Sequence, residues 1–444
     1  MSLLDGHLTA LVNRRSQLRS QLGARQALIP SGRSIGRNYA GNPFPFRASS
    51  HFLFLAGRSL ENAFFLSCPD GDALFIDPQT DADIMWHGRH HSLDELSDLL
   101  DLPVHPLSML SQRLMTSCVT LAATHQEIRD DQSRYLGRPI TQHDLSLAKA
   151  LTVVRLRHDE YAIARLTETI RLAAAAHAEV PNFIQPGMTE NQVWARMLST
   201  FTASGFGYAY NPIITINGEV LHGGVSETTL KSGDLLLLDV GCEHPEGWAS
   251  DITRTWPVSG SFSSTQALIH EAVCKAQSDA IEKCRVGIDY LDVHLTAAYS
   301  LTESLRSIGL LRGSIDELFD KETFAYFFPH GIGHLLGLDV HDMEDLGDVA
   351  GYANGYTRVD TPGQRYLRMN RKLEAGMLVT IEPGFYQIPS ILEAAKQHDP
   401  NLIDWSVLRN FTDVRGIRIE DDILIQTNGP TVLSADAPRS LEDE

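Results

Sequence analysis

The sequence predicts a two-domain α/β protein, and three observations carry that expectation. Up to about residue 155, apolar runs of strand character alternate with stretches of helical spacing. At 444 residues the chain exceeds what a single hydrophobic core usually serves. Beyond residue 156 it repeats itself weakly, as two related α/β halves would. A smaller domain over 1–155 and a larger one over 156–444 follow.

Taken in order, residues 7–24 alternate leucine with arginine and glutamine and predict an amphipathic opening helix. Gly41 to Gly57 is an aromatic-rich loop, with Phe44, Phe46, Phe52 and Phe54, expected to lead into a short strand. Ala63–Leu66 and Ala73–Ile76 read as strands joined by the turn Pro69-Asp70-Gly71-Asp72. Residues 93–101 and 142–152 read as helices. The cluster Trp86-His87-Gly88-Arg89-His90-His91 finds no converging carboxylates or thiols and reads as a solvated loop.

Asp159 to Val180 is an alanine-rich helix, closed by Pro181, that opens the second domain. There the repeat begins. Gln185-Pro186-Gly187-Met188 is echoed by Arg285-Val286-Gly287-Ile288, and each glycine precedes a helix. Leu230 to Asp239 is echoed by Leu373 to Glu382: a turn glycine starts an apolar strand that ends on a carboxylate six positions later. One residue and a glycine (Gly241, Gly384) follow each acid. Two echoes in the same order imply facing halves that each contribute an acid.

Composition narrows the function. A net charge of −19 argues against nucleic acid as a partner. The five cysteines (Cys68, Cys118, Cys242, Cys274, Cys284) form neither a CxxC pair nor a disulfide framework, which suits a reducing compartment and predicts a cytoplasmic protein. Met1 to Arg25 lacks an apolar core with a cleavage site, and no run approaches 18 apolar residues, so neither a leader nor a membrane span is expected. No GxSxG elbow, GxGxxG or GxxxxGK[ST] loop is present.

The chemistry is carried by Phe327-Phe328-Pro329-His330-Gly331-Ile332-Gly333-His334 and its continuation to His341. Three histidines fall within twelve residues of glycine-rich, irregular backbone. A lone histidine there would read as a satisfied core residue; the weight comes from acids elsewhere. Four leucines precede Asp239, so its carboxylate ends a strand buried on both faces. Unpaired, it would cost several kcal/mol. A turn around Pro245 to Gly247 brings Asp251 back beside it. Glu382 and Glu420 repeat the device in the second half, with His334 between the pairs. Mostly oxygen donors with one imidazole suit Mn²⁺ best, with Co²⁺ or Zn²⁺ as alternatives. Five ligands carrying four negative charges suit two divalent ions. Two such ions about 3.5–4 Å apart hold a bridging hydroxide and polarise a carbonyl, so hydrolysis needs no protein nucleophile.

Asp239, Asp251, His334, Glu382 and Glu420 together resemble the ligand set of the pita-bread metallopeptidases. Within them the set is similar to the proline-specific branch, Xaa-Pro dipeptidase (prolidase) and aminopeptidase P. The resemblance covers residue 155 to near the C-terminus, and Phe44 to Arg47 with Phe52 to Gly57 resemble the N-terminal domain those enzymes share. It implies that Asp239 and Asp251 hold one ion, that Asp251 and Glu420 bridge, and that His334 and Glu382 complete the other. His222, His330 and His341 match substrate-facing histidines that bind or shuttle protons around the scissile bond. Arg418 matches an arginine near the bridging acid that serves to orient the ligands, and Tyr210 a tyrosine lining the pocket. The run from Pro362-Gly363 to Leu367-Arg368 resembles a prolidase segment in which the arginine, here Arg368, meets the substrate's free carboxylate. Three departures stand out: a spacing of twelve rather than eleven between Asp239 and Asp251, Gly223 in place of a tyrosine, and a shortened loop at 215–218.

The resemblance thus implies a dinuclear-metal dipeptidase cleaving Xaa-Pro, working as a homo-oligomer, dimer or tetramer, with the aromatic loop at a subunit interface. Aminopeptidase P, acting on longer peptides, is the near alternative, and hydrolysis of organophosphorus esters a side activity known in a relative. A catalytically inactive pita-bread binding protein is the alternative from another class; all five filled ligand positions oppose it.

Overall fold

The computed structural model describes residues 3–440, and the chain falls into two compact units, Met1–Tyr161 and Ala162–Glu444. In the first unit, a mixed sheet of order β4-β3-β2-β1-β5 is built from β1 (Ala27–Pro30), β2 (Phe64–Cys68), β3 (Gly71–Phe75), β4 (Val104–His105) and β5 (Val119–Thr120). The three central strands pair antiparallel, and the short edges add parallel. Helices α1 (Leu3–Leu22), α2 (Ser50–Ala56), α3 (Asp81–His87), α4 (Leu93–Leu100), α5 (Leu110–Arg113), α6 (Gln126–Leu136) and α7 (Leu145–Arg155) accompany it.

The strand expected after the aromatic loop is instead helix α2. A seven-residue apolar run has no period that separates a strand from a buried helix. Gly57 ends it at φ +68, in the left-handed region, with its N–H on the Leu53 carbonyl. All seven residues are buried, Phe52 and Phe54 among them, so the second half of the aromatic run is core of its own unit. Phe44 remains exposed. The Trp86–His91 segment is exposed as expected, but Trp86 and His87 close α3, a helix that buries none of its residues.

The second unit opens on α8 (Glu160–Ala178), α9 (Val180–Phe183) and α10 (Glu190–Ala203). Strands β6 (Gly207–Tyr208), β7 (Ile213–Thr215), β8 (Leu235–Asp239), β9 (Cys242–Glu243) and β10 (Thr253–Pro257) complete its first half. The second half holds α11 (Ser264–Lys283), α12 (Tyr290–Ser307), β11 (Leu378–Ile381), β12 (Gly384–Tyr386), β13 (Gly416–Arg418), β14 (Asp421–Gln426) and β15 (Gly429–Val432). Sheets β10-β8-β7 and β11-β14-β15 carry the two halves, beside the pairs β12-β13 and β6-β9. They meet where the Glu420 N–H donates to the Thr253 carbonyl at 3.0 Å. This is the pita-bread arrangement.

The same local device builds both halves. Gly187 N–H donates to Leu230 O at 2.9 Å and Leu230 N–H to Met188 O at 2.8 Å; Gly287 and Leu373, then Leu373 and Ile288, repeat the pair at 2.8 Å each. Gly187 and Gly287 sit at φ +94 and +88, and Gly233 and Gly376 at +90 and +93. A Cβ would strain all four turns, which is why the repeat survives in the sequence as glycines. Among the described residues, no helix is long and apolar enough to cross a membrane. All five cysteines are free thiols.

Candidate active site

The acids stand where strands end. Asp239 pairs with Thr253 across β8 and β10, so Asp251 lies just beyond the strand partner, and Val240 N–H closes the hairpin on Ile252 O at 3.0 Å. A Cβ on Gly241 would fall 1.8 Å from the Ser250 carbonyl oxygen, so only glycine lets the two arms approach. In the second half Ile381 pairs with Asp421, which sets Glu382 and Glu420 at the adjoining step. The histidine segment runs along β11: His334 N–H donates to Thr380 Oγ1 at 3.1 Å, and Thr380 N–H to His334 O at 3.0 Å. A Cβ on Gly333 would lie 2.2 Å from the Thr380 carbonyl oxygen, which accounts for that glycine.

Donor atoms of Asp251, His334 and Glu420, all buried, lie within 4.8 Å of one another. His334 Nδ1–H donates to Leu335 O at 3.0 Å, leaving Nε2 to face Asp251 Oδ2 at 3.3 Å and Glu382 Oε1 at 3.8 Å. Asp239 is gripped by Arg418 Nη2 at 2.6 Å. The Tyr210 hydroxyl lies 2.7 Å from Asp239 Oδ1 and 2.5 Å from Asp251 Oδ1. Thr253 Oγ1 donates to Glu420 Oε2 at 2.6 Å. Burial raises the Asp251 carboxyl, and Asp239 raises it further. Burial likewise raises Glu382 and Glu420, with added repulsion from Asp251. Burial holds His334 neutral. Carboxylates gathered this closely away from water need cations to neutralise them, and acids with one unprotonated imidazole nitrogen form a donor set that fits divalent ions.

Behind Asp239 runs a chain of bonds whose polarity is settled at each step. Arg418 Nη1–H donates to the Tyr386 hydroxyl at 3.0 Å, Tyr386 O–H to His330 Nε2 at 2.8 Å, and His330 Nδ1–H to Gly331 O at 2.8 Å. Burial lowers His330 to about 3, with Arg418 assisting, so the ring is neutral and both its nitrogens are engaged. Burial would lower Arg418, but Tyr386 and the surrounding acids outweigh it and keep the guanidinium charged. Sequence reasoning missed Tyr386. Its signal was Gly384, two residues after Glu382: a Cβ there would lie 2.4 Å from the Tyr386 hydroxyl.

A cavity of about 520 Å³ brings His222, His330, His341, Arg368 and Arg418 around the acids. Tyr210 is not on its wall; its hydroxyl meets Asp239 and Asp251 instead, which corrects the expectation of a pocket-lining ring. Two buried or partly buried glutamates, also missed, pin the loops at the cavity mouth. Glu190 accepts from Ile216 N–H at 3.0 Å, Ser226 N–H at 3.1 Å and Ser226 Oγ at 2.6 Å, fixing the loop that bears His222. Glu322 accepts from Thr361 Oγ1 at 2.7 Å, Gly363 N–H at 2.9 Å and Gln364 Nε2 at 3.1 Å, fixing the strap that bears Arg368.

Fold and site define a pita-bread metallopeptidase. The profile of metallopeptidase family M24 matches residues 164–427, and that of the aminopeptidase P N-terminal domain matches 11–124. A probable Xaa-Pro aminopeptidase of Neosartorya fischeri is 30% identical over 90% of this chain and 88% of its own length. The Xaa-Pro dipeptidase of Mus musculus is 30% identical over 95% and 88%. The aminopeptidase PepP structure from Pseudomonas aeruginosa superposes with a TM-score of 0.82 at 25% identity, covering 98% of this chain and 96% of that one. The chain belongs to metallopeptidase family M24, in the branch of Xaa-Pro aminopeptidases and dipeptidases.

Proposed function

We propose that this metallopeptidase hydrolyses the bond between an N-terminal residue and proline, with the dipeptide Xaa-Pro as preferred substrate, and that it carries two divalent ions, natively Mn²⁺. The observation that carries the reading is the buried Asp251–His334–Glu420 cluster, flanked by Asp239 and Glu382 in a cavity that also holds Arg368. Bound there, two divalent ions would activate water and polarise the scissile carbonyl. Asp239, Asp251, His334, Glu382 and Glu420 are the proposed ligands. Arg418, braced by Tyr386, holds and orients Asp239. His341 Nδ1 lies 3.1 Å from Glu344, so Nδ1–H donates there and Nε2 is left for the substrate. Burial keeps His341 and His222 below the ordinary imidazole value, so both are proton acceptors at neutral pH. They can therefore take and return a proton as the proline nitrogen departs. His330, with both nitrogens engaged, serves as a wall of the substrate pocket. Arg368 receives the substrate's free carboxylate, which in a dipeptide stands beside the proline ring. Metal analysis combined with Ala-Pro cleavage tests the reading. Two ions per chain and turnover abolished by exhaustive chelation are expected; a folded, metal-loaded protein that leaves Ala-Pro intact overturns it.

One observation favours aminopeptidase P as a second reading: Arg368 is already paired with Glu344, at 2.5 Å. Preference for Xaa-Pro-Yaa over Xaa-Pro would select it. We further place the protein in the cytoplasm, in keeping with its free thiols. A homo-oligomer, dimer or tetramer, is supported by exposed Ile84, Met85 and Trp86 on α3 and by exposed Ile35, Tyr39 and Phe44. A monomeric mass in solution would rule the assembly out.

A further inference from the structure

Arg368 does not face the cavity alone. Its Nη1 lies 2.5 Å from Glu344 Oε1, and Glu344 Oε2 lies 3.1 Å from His341 Nδ1. One carboxylate thus ties together the strap that bears the arginine and the segment that bears the histidines. Glu344 lines the cavity with its side chain 40% exposed. Burial would raise its carboxyl, but the hydrogen bonds from His341 and Arg368 outweigh this and hold it at about 2, so it is ionised throughout the neutral range. Uncommon backbone puts it there. Met343 stands in the left-handed region at φ +59, Glu344 opens the short turn Glu344–Leu346, and Gly347 follows at φ +61. A methionine enters that region only where the surroundings impose it, and such outliers cluster at functional sites.

A substrate carboxylate that reaches Arg368 arrives beside this fixed negative charge. Nη1 is occupied, so the incoming group must use the remaining donors of the guanidinium or displace Glu344. A peptide extended beyond proline presents a neutral amide at that place, which meets no repulsion. We infer that Glu344 is a specificity-determining residue that sets substrate length: it competes with a terminal carboxylate for Arg368 and so admits peptides longer than Xaa-Pro. The inference rests on the reading of this cavity as an Xaa-Pro peptidase site, and it concerns the ratio between two substrates, whichever the wild type prefers.

The metal-loaded enzyme and its Glu344→Gln variant are compared on Ala-Pro and Ala-Pro-Ala. Glutamine keeps the shape and removes the charge. The ratio of kcat/KM for Ala-Pro to that for Ala-Pro-Ala rises about tenfold in E344Q, roughly the worth of one charge-assisted hydrogen bond. The rise lies in a lower KM for Ala-Pro. In an Arg368→Ala background the same substitution raises the ratio by much less, because the competitor's target is gone and only the direct repulsion between the two carboxylates is relieved. Glu344→Asp, which withdraws the charge by one methylene, is the second variant and raises the ratio by less. An unchanged or lowered ratio in E344Q and E344D, or an equal rise without Arg368, overturns the inference. Failure of the wild type to cleave either peptide would overturn the peptidase reading itself, and the inference with it.

Discussion

The two halves of the catalytic unit share a frame and divide its chemistry. In the first half, the turn at Gly187 precedes α10 and bonds to Leu230, and β8 runs to Asp239; in the second, the turn at Gly287 precedes α12 and bonds to Leu373, and β11 runs to Glu382. A helix also contacts each strand end, after the acid in the first half and before it in the second. His177 Nε2–H donates to the Val240 carbonyl at 2.9 Å, and Gln277, one hundred positions later, donates to that of Ile381 at 3.1 Å. The connections differ. Between α10 and β8 the first half has the stretch 204–234, bearing His222; between α12 and β11 the second has 308–377, bearing His330, His334, His341, Glu344 and Arg368. A repeated backbone therefore supplies two opposed acid pairs, while most of the groups proposed to face the substrate lie on the longer connection of the second half.

The strongest way to break this comparison takes one acid from each half. Asp251→Asn and Glu420→Gln should both fold, with unchanged circular dichroism, and both should lose Ala-Pro turnover by more than the roughly 10–100-fold expected of an outer partner. Substantial activity in either would mean that the halves do not share the metal work.

Chelation asks whether the pairing of halves depends on cations. In the metal-free protein the raised carboxyls of Asp251, Glu382 and Glu420 hold protons that the unfolded chain releases at its ordinary value of about 4. The folded state then binds more protons, so these groups favour folding below about pH 4, and that contribution is lost as pH rises through their folded values. Bound ions remove the penalty and bind more tightly as the acids ionise. The Tm gap between metal-loaded and chelated protein should therefore widen from pH 5 to pH 8. A gap that narrows would show the acids to be paired by other means.

Arg368→Ala tests whether substrate reading lies on the longer connection. Loss of a charge-assisted hydrogen bond of about 1.5–3 kcal/mol should lower kcat/KM for Xaa-Pro roughly ten- to hundredfold. Xaa-Pro amides should change much less, and equal losses on both would remove the carboxylate role.

The smallest effects sharpen the contrast between the loops. Glu190→Gln and Glu322→Gln should each change kcat/KM by less than about tenfold, the worth of one hydrogen bond to a charged group. Hydrogen exchange should rise at 216–226 in the first variant and at 361–364 in the second. Exchange that rises in both loops for either variant would show the loops to be one unit.

How much of this was legible follows from how far apart the partners lie. Asp239, Asp251, Glu382 and Glu420 could be read because each acid follows or flanks an apolar strand, and a buried strand end is a local pattern. The halves could be read because their turns require glycine at positive φ, which no other residue satisfies without strain. Helix α2 could not, since a seven-residue apolar run carries no decisive period. Nor could the Arg418 grip on Asp239, which joins residues 179 apart, or the Tyr386 hydroxyl that braces it. Glu344 reads as an ordinary loop residue, and Tyr210 only as a pocket-lining ring by resemblance, until the fold set the tyrosine across two aspartates and the glutamate between His341 and Arg368. The sequence by itself determined which groups must be neutralised and where the chain must turn, because desolvation and backbone sterics act on each residue where it stands. Only the tertiary structure decided which neutral and charged groups would meet them, because a hydrogen bond between distant segments leaves no period and no spacing in the chain.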